Sequence, residues 1–396
     1  MNSFLKQRNT VLFLKCCIAL VVFVLTSCSK DEQEVNHFEV ETEVNLDITF
    51  PEVLFTDVAQ IAQRNSSKVI LNRLIQLVDA APQNSTIHIS ISAFQYTPLI
   101  NALLRADNKG VAVSIIIDYS LETGQTNNLN AINLLRDGFS SNSKVTLLTN
   151  DSGAIAINHN KFALFSKVNT VDGEKENVVF QTSHNFAEAS TKKAQDAVIF
   201  SNEDLYSSFL NYWDDMKSLA VSGMVNYYYR EFISEDINAY FFPKRREGEF
   251  YGEDTIIEIL DDIQNPENAT IKIGMSIWTD SRIAIVAKLS ELIDEGATVE
   301  VIVKPSVGDN VFNALLELEA KGAFIKAFSN TNIHSKYMII DADWQGTHRK
   351  IVVTGSHNYS QNALRYNNET LLLIKDDLIF SEYDTNFNQL KELENE

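Results

Sequence analysis

The chain has 396 residues, 45% of them hydrophobic, so it is long and apolar enough to bury the cores of two domains. Its formal net charge of −20 repels polyanions at long range. This argues against a non-specific nuclease, although a local basic cleft can override net charge. All 3 cysteines lie at or before Cys28, so a chain cleaved there has no intramolecular disulfide.

The first residues predict a lipoprotein signal. Lys6, Arg8 and Lys15 precede an apolar run over residues 16–25, which is too short to span a bilayer. The run leads into the sequence LTSC, which resembles a bacterial lipobox with Cys28 as the lipidated first residue of the mature protein. An ordinary signal peptide or a short anchor helix is the alternative.

The segment after Cys28 is predicted to be an acidic tether over residues 28–56. Its acidic cluster at residues 29–32 resembles the surface-export signal of some Gram-negative lipoproteins, and a plain solvated tether is the alternative. We therefore expect a protein of the cell envelope, anchored by lipid to a membrane, the outer membrane of a Gram-negative bacterium, with its folded body following the tether.

Periodicity and apolar runs then predict a similar series of elements twice along the chain. The first series is a helix over 68–80, a strand over 86–94, a helix over 98–109 and a strand over 111–117. The second is a strand over 270–277, a helix over 281–295, a strand over 298–303, a helix over 310–321 and a strand over 323–328. Strand–helix–strand units of this length favour parallel neighbours with helices covering the sheet. A helix closes each half, over 204–219 and 382–394.

A histidine and a lysine two residues apart occur in both halves, His159 with Lys161 and His334 with Lys336. Each pair leads into an apolar strand. Alternate residues of a strand share a face, so the imidazole and the ammonium of each pair are expected to point the same way. A cation for the oxyanion and an imidazole that attacks or protonates suit phosphate chemistry.

A polar motif follows the next strand of each half. It consists of Ser183 and Asn185 in the first half and of Ser356 and Asn358 in the second. A carboxylate in an apolar strand comes 11 positions after each asparagine, Asp196 and then Glu369. The repeated distances indicate two half-sites from one duplicated unit. They also predict that each carboxylate orients one histidine by binding the ring nitrogen that does not take part in the chemistry.

In the second half these residues form the pattern H-x-K-x-x-x-x-D followed by G-S-x-N. The pattern comprises His334, Lys336, Asp341, Gly355, Ser356 and Asn358. It resembles the signature of the phospholipase D superfamily, which occurs twice per active site. The first half departs from it, because Ser166 stands where the Asp is expected and Thr182 where the Gly is. The resemblance implies that Asp341 is a supporting residue, and that His, Lys, Ser and Asn contact the phosphate.

The resemblance also implies an α/β fold of two duplicated phospholipase D-like halves, over residues 57–222 and 253–396. Each is a mixed, largely parallel sheet flanked by helices, and the halves share one active-site cleft. An aromatic and basic connector over residues 223–252 joins them. It is interpreted either as a loop over the cleft that meets lipid head groups or as a linker packed across both halves.

The reaction implied by the resemblance is two-step covalent catalysis through a phosphohistidine. His159 is assigned as the nucleophile and His334 as the acid, while the serines and asparagines donate hydrogen bonds to the phosphate. Lys161 and Lys336 supply the positive charge, so no metal or cofactor is predicted. Zinc binding is the alternative for the histidines, namely His159, His184, His334 and His357.

These observations together predict a membrane-tethered phosphodiesterase of phospholipase D type. It would hydrolyse or transfer phospholipid head groups, because a lipid anchor holds it beside phospholipid. Two alternatives stay open at this point. One is an extracytoplasmic nuclease of the same superfamily, and the other is a non-catalytic surface protein with a degenerate first half-site.

Overall fold

The structure, a computed structural model, describes residues 44–120, 122–149, 156–222, 229–246, 249–250, 252–304, 306–329 and 331–394. The predicted signal peptide, the lipidation site at Cys28 and the first part of the tether lie outside these residues. Within the described ranges, no helix is both long enough and apolar enough to cross a membrane.

The first half forms a mixed sheet of 7 strands among the described residues. The strands are β1 (Glu52–Phe55), β2 (Thr86–Ile91), β3 (Ala112–Asp118), β4 (Lys144–Leu148), β5 (Lys161–Thr170), β6 (Gly173–Thr182) and β7 (Asp196–Ser201). Their order is β1-β7-β6-β5-β2-β3-β4. Parallel pairing is confined to β2, β3 and β4, which are connected through helices, and the other neighbours pair antiparallel.

The second half repeats this sheet. Its strands are β8 (Arg230–Ile233), β9 (Ile237–Phe242), β12 (Ile263–Gln264), β13 (Thr270–Met275), β14 (Thr298–Val303), β15 (Phe324–Ala327), β16 (Lys336–Trp344), β17 (Thr347–Gly355) and β18 (Glu369–Ile374), and a separate ribbon pairs β10 (Arg245–Arg246) with β11 (Glu249–Phe250). The order β15-β14-β13-β16-β17-β18 matches β4-β3-β2-β5-β6-β7 of the first sheet. The predicted fold class, two duplicated halves with flanking helices, is confirmed. The expectation of largely parallel sheets is wrong, because the strands from each His-x-Lys motif onward pair antiparallel with their neighbours.

Nine α-helices lie in the described residues: α1 (Val58–Ala62), α2 (Val69–Asp79), α3 (Thr97–Asn108), α4 (Glu122–Gly138), α5 (Glu203–Ser222), α6 (Thr255–Asp261), α7 (Ile283–Asp294), α8 (Asp309–Ala320) and α9 (Asp377–Glu392). Short 3-10 turns occur at Glu188–Lys192, Pro266–Asn268 and Asp280–Arg282, and a π turn at Asn362–Tyr366. Helix α9 begins before the predicted residue 382, because the Asp376 carboxylate accepts hydrogen bonds from the backbone N–H groups of Leu378 and Ile379.

One hydrophobic cluster joins the two halves. It includes Phe162 and Phe209 from the first half and Leu372 from the second, all fully buried. Tyr212 of α5 lies within it, where its hydroxyl donates to the carbonyl of Phe242 at 2.9 Å. Burying one such large side chain stabilises the fold by about 1.5–3 kcal/mol, so the cluster holds the two sheets in a fixed relation.

Two strands from the described part of the connector, β8 and β9, belong to the second sheet. Strand β9 contains mostly apolar and aromatic residues, and it pairs antiparallel with β18 from Ile237 to Phe242. Strand β8 pairs with β9 in turn. Of the basic trio, Lys244 forms an ion pair with Glu258 at 2.8 Å. This side chain is therefore held by the second half rather than presented to head groups.

The last residues of the predicted tether belong to the first sheet. Strand β1 pairs with β7 along its whole length, which places the start of the first half before the predicted boundary at residue 57. Leu46 and Ile48 are buried in the same core. Strand β1 thus covers the edge of β7, and the preceding Leu46 and Ile48 add to the core of the first half.

Candidate active site

The two His-x-Lys motifs lie at the same edge of their sheets. Lys161 is the first residue of β5 and Lys336 the first residue of β16. Each ammonium donates to the carbonyl of its own motif histidine, at 2.7 Å for Lys161 and 2.8 Å for Lys336. Both lysines are fully buried. The two half-sites are thus built in the same way.

Backbone hydrogen bonds attach each motif to the opposite half. The amide of His159 donates to the carbonyl of Asn368, and the amide of His334 donates to the carbonyl of Ala194, both at 2.9 Å. Because the two bonds are equivalent under exchange of the halves, the motifs meet across a pseudo-two-fold axis. The predicted pairs are therefore brought together in one site.

His159 is held by a carboxylate of the opposite half. Its Nδ1 lies 2.9 Å from both carboxylate oxygens of Glu369, which is fully buried. A carboxylate only accepts hydrogen bonds, so Nδ1 carries a proton and Nε2 is the atom left for chemistry. The prediction that Glu369 orients a histidine agrees with this geometry.

His334 is held by an amide, not by the predicted Asp196. Its Nδ1 lies 2.8 Å from the side-chain oxygen of Gln195, whose NH2 group donates to the carbonyl of Ser190. That donation fixes the amide orientation, so the Gln195 oxygen accepts a hydrogen bond from Nδ1 of His334 and Nε2 is left free. The Lys336 ammonium also lies 3.2 Å from this Nδ1. The sequence analysis did not select Gln195.

A one-residue offset between the halves explains why the equal spacing after the two asparagines pointed to Asp196 instead of Gln195. The amide of Ser183 donates to the carbonyl of Asp196, but the amide of Ser356 donates to the carbonyl of Thr370, one residue beyond Glu369. In structural terms Asp196 therefore matches Thr370, and Gln195 matches Glu369. The segment after the second motif is one residue longer, which counting from the asparagines could not show.

Asp196 instead supports the junction of the halves. Its carboxylate accepts hydrogen bonds from the hydroxyls of Ser183, at 2.8 Å, and of Tyr383, at 2.9 Å, and also from Thr354 at 2.5 Å. Burial raises the pKa of this carboxyl, and the three donors oppose the shift. Asp196 thus holds β17 and α9 against the first half.

In the repeated motif, the serine hydroxyls form hydrogen bonds within the described part of the protein, whereas the asparagine side-chain amides do not. Ser183 donates to Asp196, and Ser356 donates to Glu369 at 2.6 Å, so both hydroxyl protons are already used. In this structure the serines thus position the carboxylates, and their predicted contacts with phosphate stay a prediction. The side-chain amides of Asn185 and Asn358 make no hydrogen bond within the described chain and stay available to a ligand.

The two residues of the first half that depart from the family pattern, Thr182 and Ser166, each form local hydrogen bonds. The hydroxyl of Thr182 donates to the carbonyl of Asp196 at 2.6 Å and accepts from the amide of His184 at 3.0 Å. The hydroxyl of Ser166 accepts from the amide of Thr86 at 2.8 Å. Its counterpart in the second half, Asp341, contacts the exposed His348 at 2.9 Å and lies outside the site.

The position of Gly355 tolerates no side chain. A Cβ built there would meet the carbonyl oxygen of Thr370 at 2.1 Å. We expect Gly355→Ala to destabilise the protein by about 1–3 kcal/mol, as overpacking does. The matched change Thr182→Ser keeps the hydroxyl and is expected to cost about 1 kcal/mol or less, the loss of one buried methyl group. Chemical denaturation measures both, and equal losses would contradict the difference between the halves.

Burial and repulsion among the cations set the charge of the site. Burial lowers the pKa of Lys161 to about 7, and burial together with Lys161 lowers the pKa of Lys336 well below its usual value. Burial also lowers the pKa of His159, which Glu369 opposes. Burial and Lys336 lower the pKa of His334 much further. A phosphodiester anion between the lysines would offset this repulsion and favour the protonated forms.

The remaining histidines of the motifs lie inside the protein. His184 and His357 are fully buried, and burial lowers the pKa of each to about 4, so both are neutral. Nδ1 of His184 donates to the carbonyl of Asn185. Among the residues that the structure describes, no group of three or more His, Cys, Asp or Glu side chains is placed to hold a metal ion.

The family profile described as "Cardiolipin synthase, PLD-like domain" matches residues 74–217 and 259–391, which together exceed half of the chain. The chain belongs to the phospholipase D-like family. Each matched segment contains one of the two sheets except for edge strands, namely β1 in the first half and β8 and β9 in the second, so the profile detects the same duplication as the fold. No curated protein matches the chain.

Solved structures share the phospholipase D-like fold. Phosphatidylserine synthase from Haemophilus influenzae Rd KW20 has a TM-score of 0.60 at 12% identity, and the alignment covers 86% of each chain. Polyphosphate kinase from Porphyromonas gingivalis has a TM-score of 0.56 at 14% identity, over 86% of this chain but only 50% of the kinase. Nuc from Salmonella typhimurium, a phospholipase D family member, is 27% identical over 42% of this chain and 93% of its own, with a TM-score of 0.31. The similarity to the synthase and to the kinase concerns the fold alone.

A pocket of about 450 Å³ opens beside His159. Asn358, whose side-chain amide has no hydrogen-bond partner among the described residues, contributes to its wall, and the residues other than His159 have no ionisable side chain. They are Ile157, Ile277, Thr279, Ser281, Ser360, Gln361, Asn362 and Asn367. A ligand at this side of the site would meet neutral polar and apolar groups.

Proposed function

We propose that the protein is a phosphodiesterase of phospholipase D type that cleaves or exchanges phospholipid head groups through a phosphohistidine. The observation that supports it most is the unequal pair of histidine partners, a carboxylate behind His159 and a neutral amide behind His334. A nucleophilic imidazole becomes positively charged once it is phosphorylated. Glu369 stands where that charge develops, which favours His159 as the nucleophile.

In the first step, Nε2 of neutral His159 attacks the phosphorus, and an N–P bond forms while the P–O bond to the head group breaks. The proton on Nε2 of His334 passes to the leaving oxygen, so the head group departs as an alcohol. Lys161 and Lys336 stabilise the charge on the phosphoryl oxygens. The amides of Asn185 and Asn358 donate hydrogen bonds to the same oxygens.

In the second step, water or another alcohol attacks the phosphorus and gives its proton to Nε2 of His334. The N–P bond breaks, its electron pair returns to His159, and phosphatidate or a new phosphodiester is released. His334 must be protonated for the first step although the surrounding lysines lower its pKa. The negative charge of the bound phosphodiester offsets those lysines, so substrate binding itself prepares the acid.

Phospholipid is the proposed substrate because of the family profile, which carries the name of an enzyme of phospholipid synthesis, and because of the predicted anchor at Cys28. The net charge of −20 disfavours nucleic acid. The test is to incubate the detergent-solubilised full-length protein with a phospholipid panel and, separately, with DNA. Release of head groups supports the proposal, and cleavage of DNA alone would replace it with a nuclease.

The proposed location is a membrane surface, reached through acyl chains on Cys28. We expect Cys28→Ala to move the protein from the membrane fraction to the soluble fraction, because acyl chains rather than a spanning helix would hold it. Fractionation followed by immunoblotting measures this. Cys17→Ala, which leaves the predicted lipobox cysteine intact, is the matched control. A Cys28→Ala protein that is cleaved yet still sediments with membranes would contradict the anchor.

A further inference from the structure

Two lysines outside the repeated motif lie next to His334. Lys304 directly follows β14, and the last residue of that strand lies in the same cross-strand row as Lys336. Lys193 directly precedes Ala194, whose carbonyl accepts the backbone N–H of His334 at 2.9 Å. One lysine therefore comes from each half, and both approach the same histidine.

Neither lysine has a charge partner in the structure. Both are half-buried, and neither forms an ion pair or a side-chain hydrogen bond with another described residue. Burial, with a contribution from Lys193, lowers the pKa of Lys304 to about 8, and burial lowers the pKa of Lys193. Two partly desolvated ammonium groups that repel each other are unfavourable, and an anion between them would relieve the repulsion.

The opposite end of the site has the reverse charge. The position that corresponds to Lys304 in the first sheet is Asp118, the last residue of β3, whose neighbour along the chain shares a cross-strand row with Lys161. The Asp118 carboxylate accepts the backbone N–H of Asn158 at 2.9 Å. At this end Glu369 contacts His159, and the charge of Asp118 acts on Lys161. At the other end the charges of Lys193 and Lys304 act on His334.

We propose that Lys193 and Lys304 bind a second anionic group, a phosphate or carboxylate, carried by the alcohol that leaves from the scissile phosphate. The inference rests on the proposed function, in which His334 protonates the leaving alcohol. Because the nucleophile and the leaving group lie on opposite sides of the phosphorus, the leaving alcohol lies on the side of His334. The preferred substrate is therefore a phosphodiester whose head group is itself anionic.

The test compares phosphatidylglycerol phosphate with phosphatidylglycerol, which differ only in the terminal phosphate. We expect the wild type to prefer the phosphorylated lipid in kcat/KM by about tenfold or more, the scale of a charge-assisted hydrogen bond. In the double variant Lys193→Gln/Lys304→Gln this ratio should approach one, mainly through a raised KM. Lys192→Gln, an exposed neighbour, is the matched control and should keep the ratio.

A binding measurement separates this inference from the proposed reaction. Propane-1,3-bisphosphonate carries two anionic groups and propylphosphonate carries one, and neither is turned over. Calorimetry should show tighter binding of the bisphosphonate to the wild type, and the double variant should lose this difference. Equal binding of both compounds to the wild type, or a preference that survives in the double variant, overturns the second anion site. Inactivity on both lipids with the bisphosphonate preference intact would instead overturn only the proposed reaction.

Discussion

Replacing Glu369 with Gln is expected to lower kcat about 100-fold or more while the protein stays folded. The carboxylate offsets the positive charge of phosphorylated His159, and it fixes the proton on Nδ1. An amide offers no charge and can present its NH2 group to Nδ1, which selects the wrong tautomer. Single-turnover kinetics should show slower formation of the covalent intermediate.

The pH dependence of kcat/KM should shift in a defined direction in Glu369→Gln. Glu369 raises the pKa of His159 against the effect of burial, so its removal lowers that pKa further. A nucleophile must be neutral, and a lower pKa keeps it neutral to lower pH. The limb of kcat/KM that rises with pH should therefore move to lower pH in Glu369→Gln.

The matched control places the reverse change at the equivalent position of the other half. Gln195→Glu puts a carboxylate behind His334, so it should raise the pKa of that histidine and shift the limb that falls with pH to higher pH. Its effect on kcat should be much smaller than that of Glu369→Gln. Equal losses in the two variants would mean that the two histidines do not have distinct roles.

Variants of the two histidines should also differ in how their activity depends on the leaving group. An acid assists departure of a poor leaving group and contributes about 10²–10⁴-fold there, but little when the leaving group is already good. His334→Ala should thus retain far more activity on a p-nitrophenyl phosphodiester than on a phospholipid. It should also accumulate the covalent intermediate, since the same residue activates water in the second step.

His159→Ala is expected to lose activity on both substrates and to form no intermediate. His348→Ala is a suitable control, because that histidine is exposed and contacts Asp341 outside the site. The leaving-group comparison needs only relative rates, so modest differences in expression do not affect it. Rescue of His159→Ala, rather than of His334→Ala, by the p-nitrophenyl ester would reverse the assignment.

Much of the fold could be predicted from the sequence because apolar periodicity and glycine stops mark the βαβ units. Strand β14 begins and ends where predicted, at Thr298 and Val303. Helix α4 was missed, since its sequence is polar and asparagine-rich and shows little amphipathic pattern. Strand β9 was placed in a connector because no motif marks it, and its pairing with β18 is a long-range contact that no local pattern encodes.

The motif lysines and histidines could be predicted because their spacing is fixed by strand geometry. The partner of His334 could not be predicted, because Gln195 lies next to Asp196, a carboxylate with the expected spacing. Only the backbone hydrogen bonds between strands show that Gln195, and not Asp196, faces the site. The hydrogen bonds of Ser183 and Ser356 to carboxylates could not be predicted either. A serine that contacts phosphate and a serine that binds a carboxylate can occur in the same sequence motif.

The most direct measurement is to trap the covalent adduct and locate it. Full-length protein is mixed with a short-chain phospholipid, quenched at neutral to alkaline pH to preserve the P–N bond, digested, and analysed by mass spectrometry. Geometry and charge predict a phosphatidyl group on the peptide that contains His159, accumulating in His334→Ala and absent in His159→Ala. An adduct on His334 in the wild type, with none on His159, would contradict the roles assigned to the two half-sites.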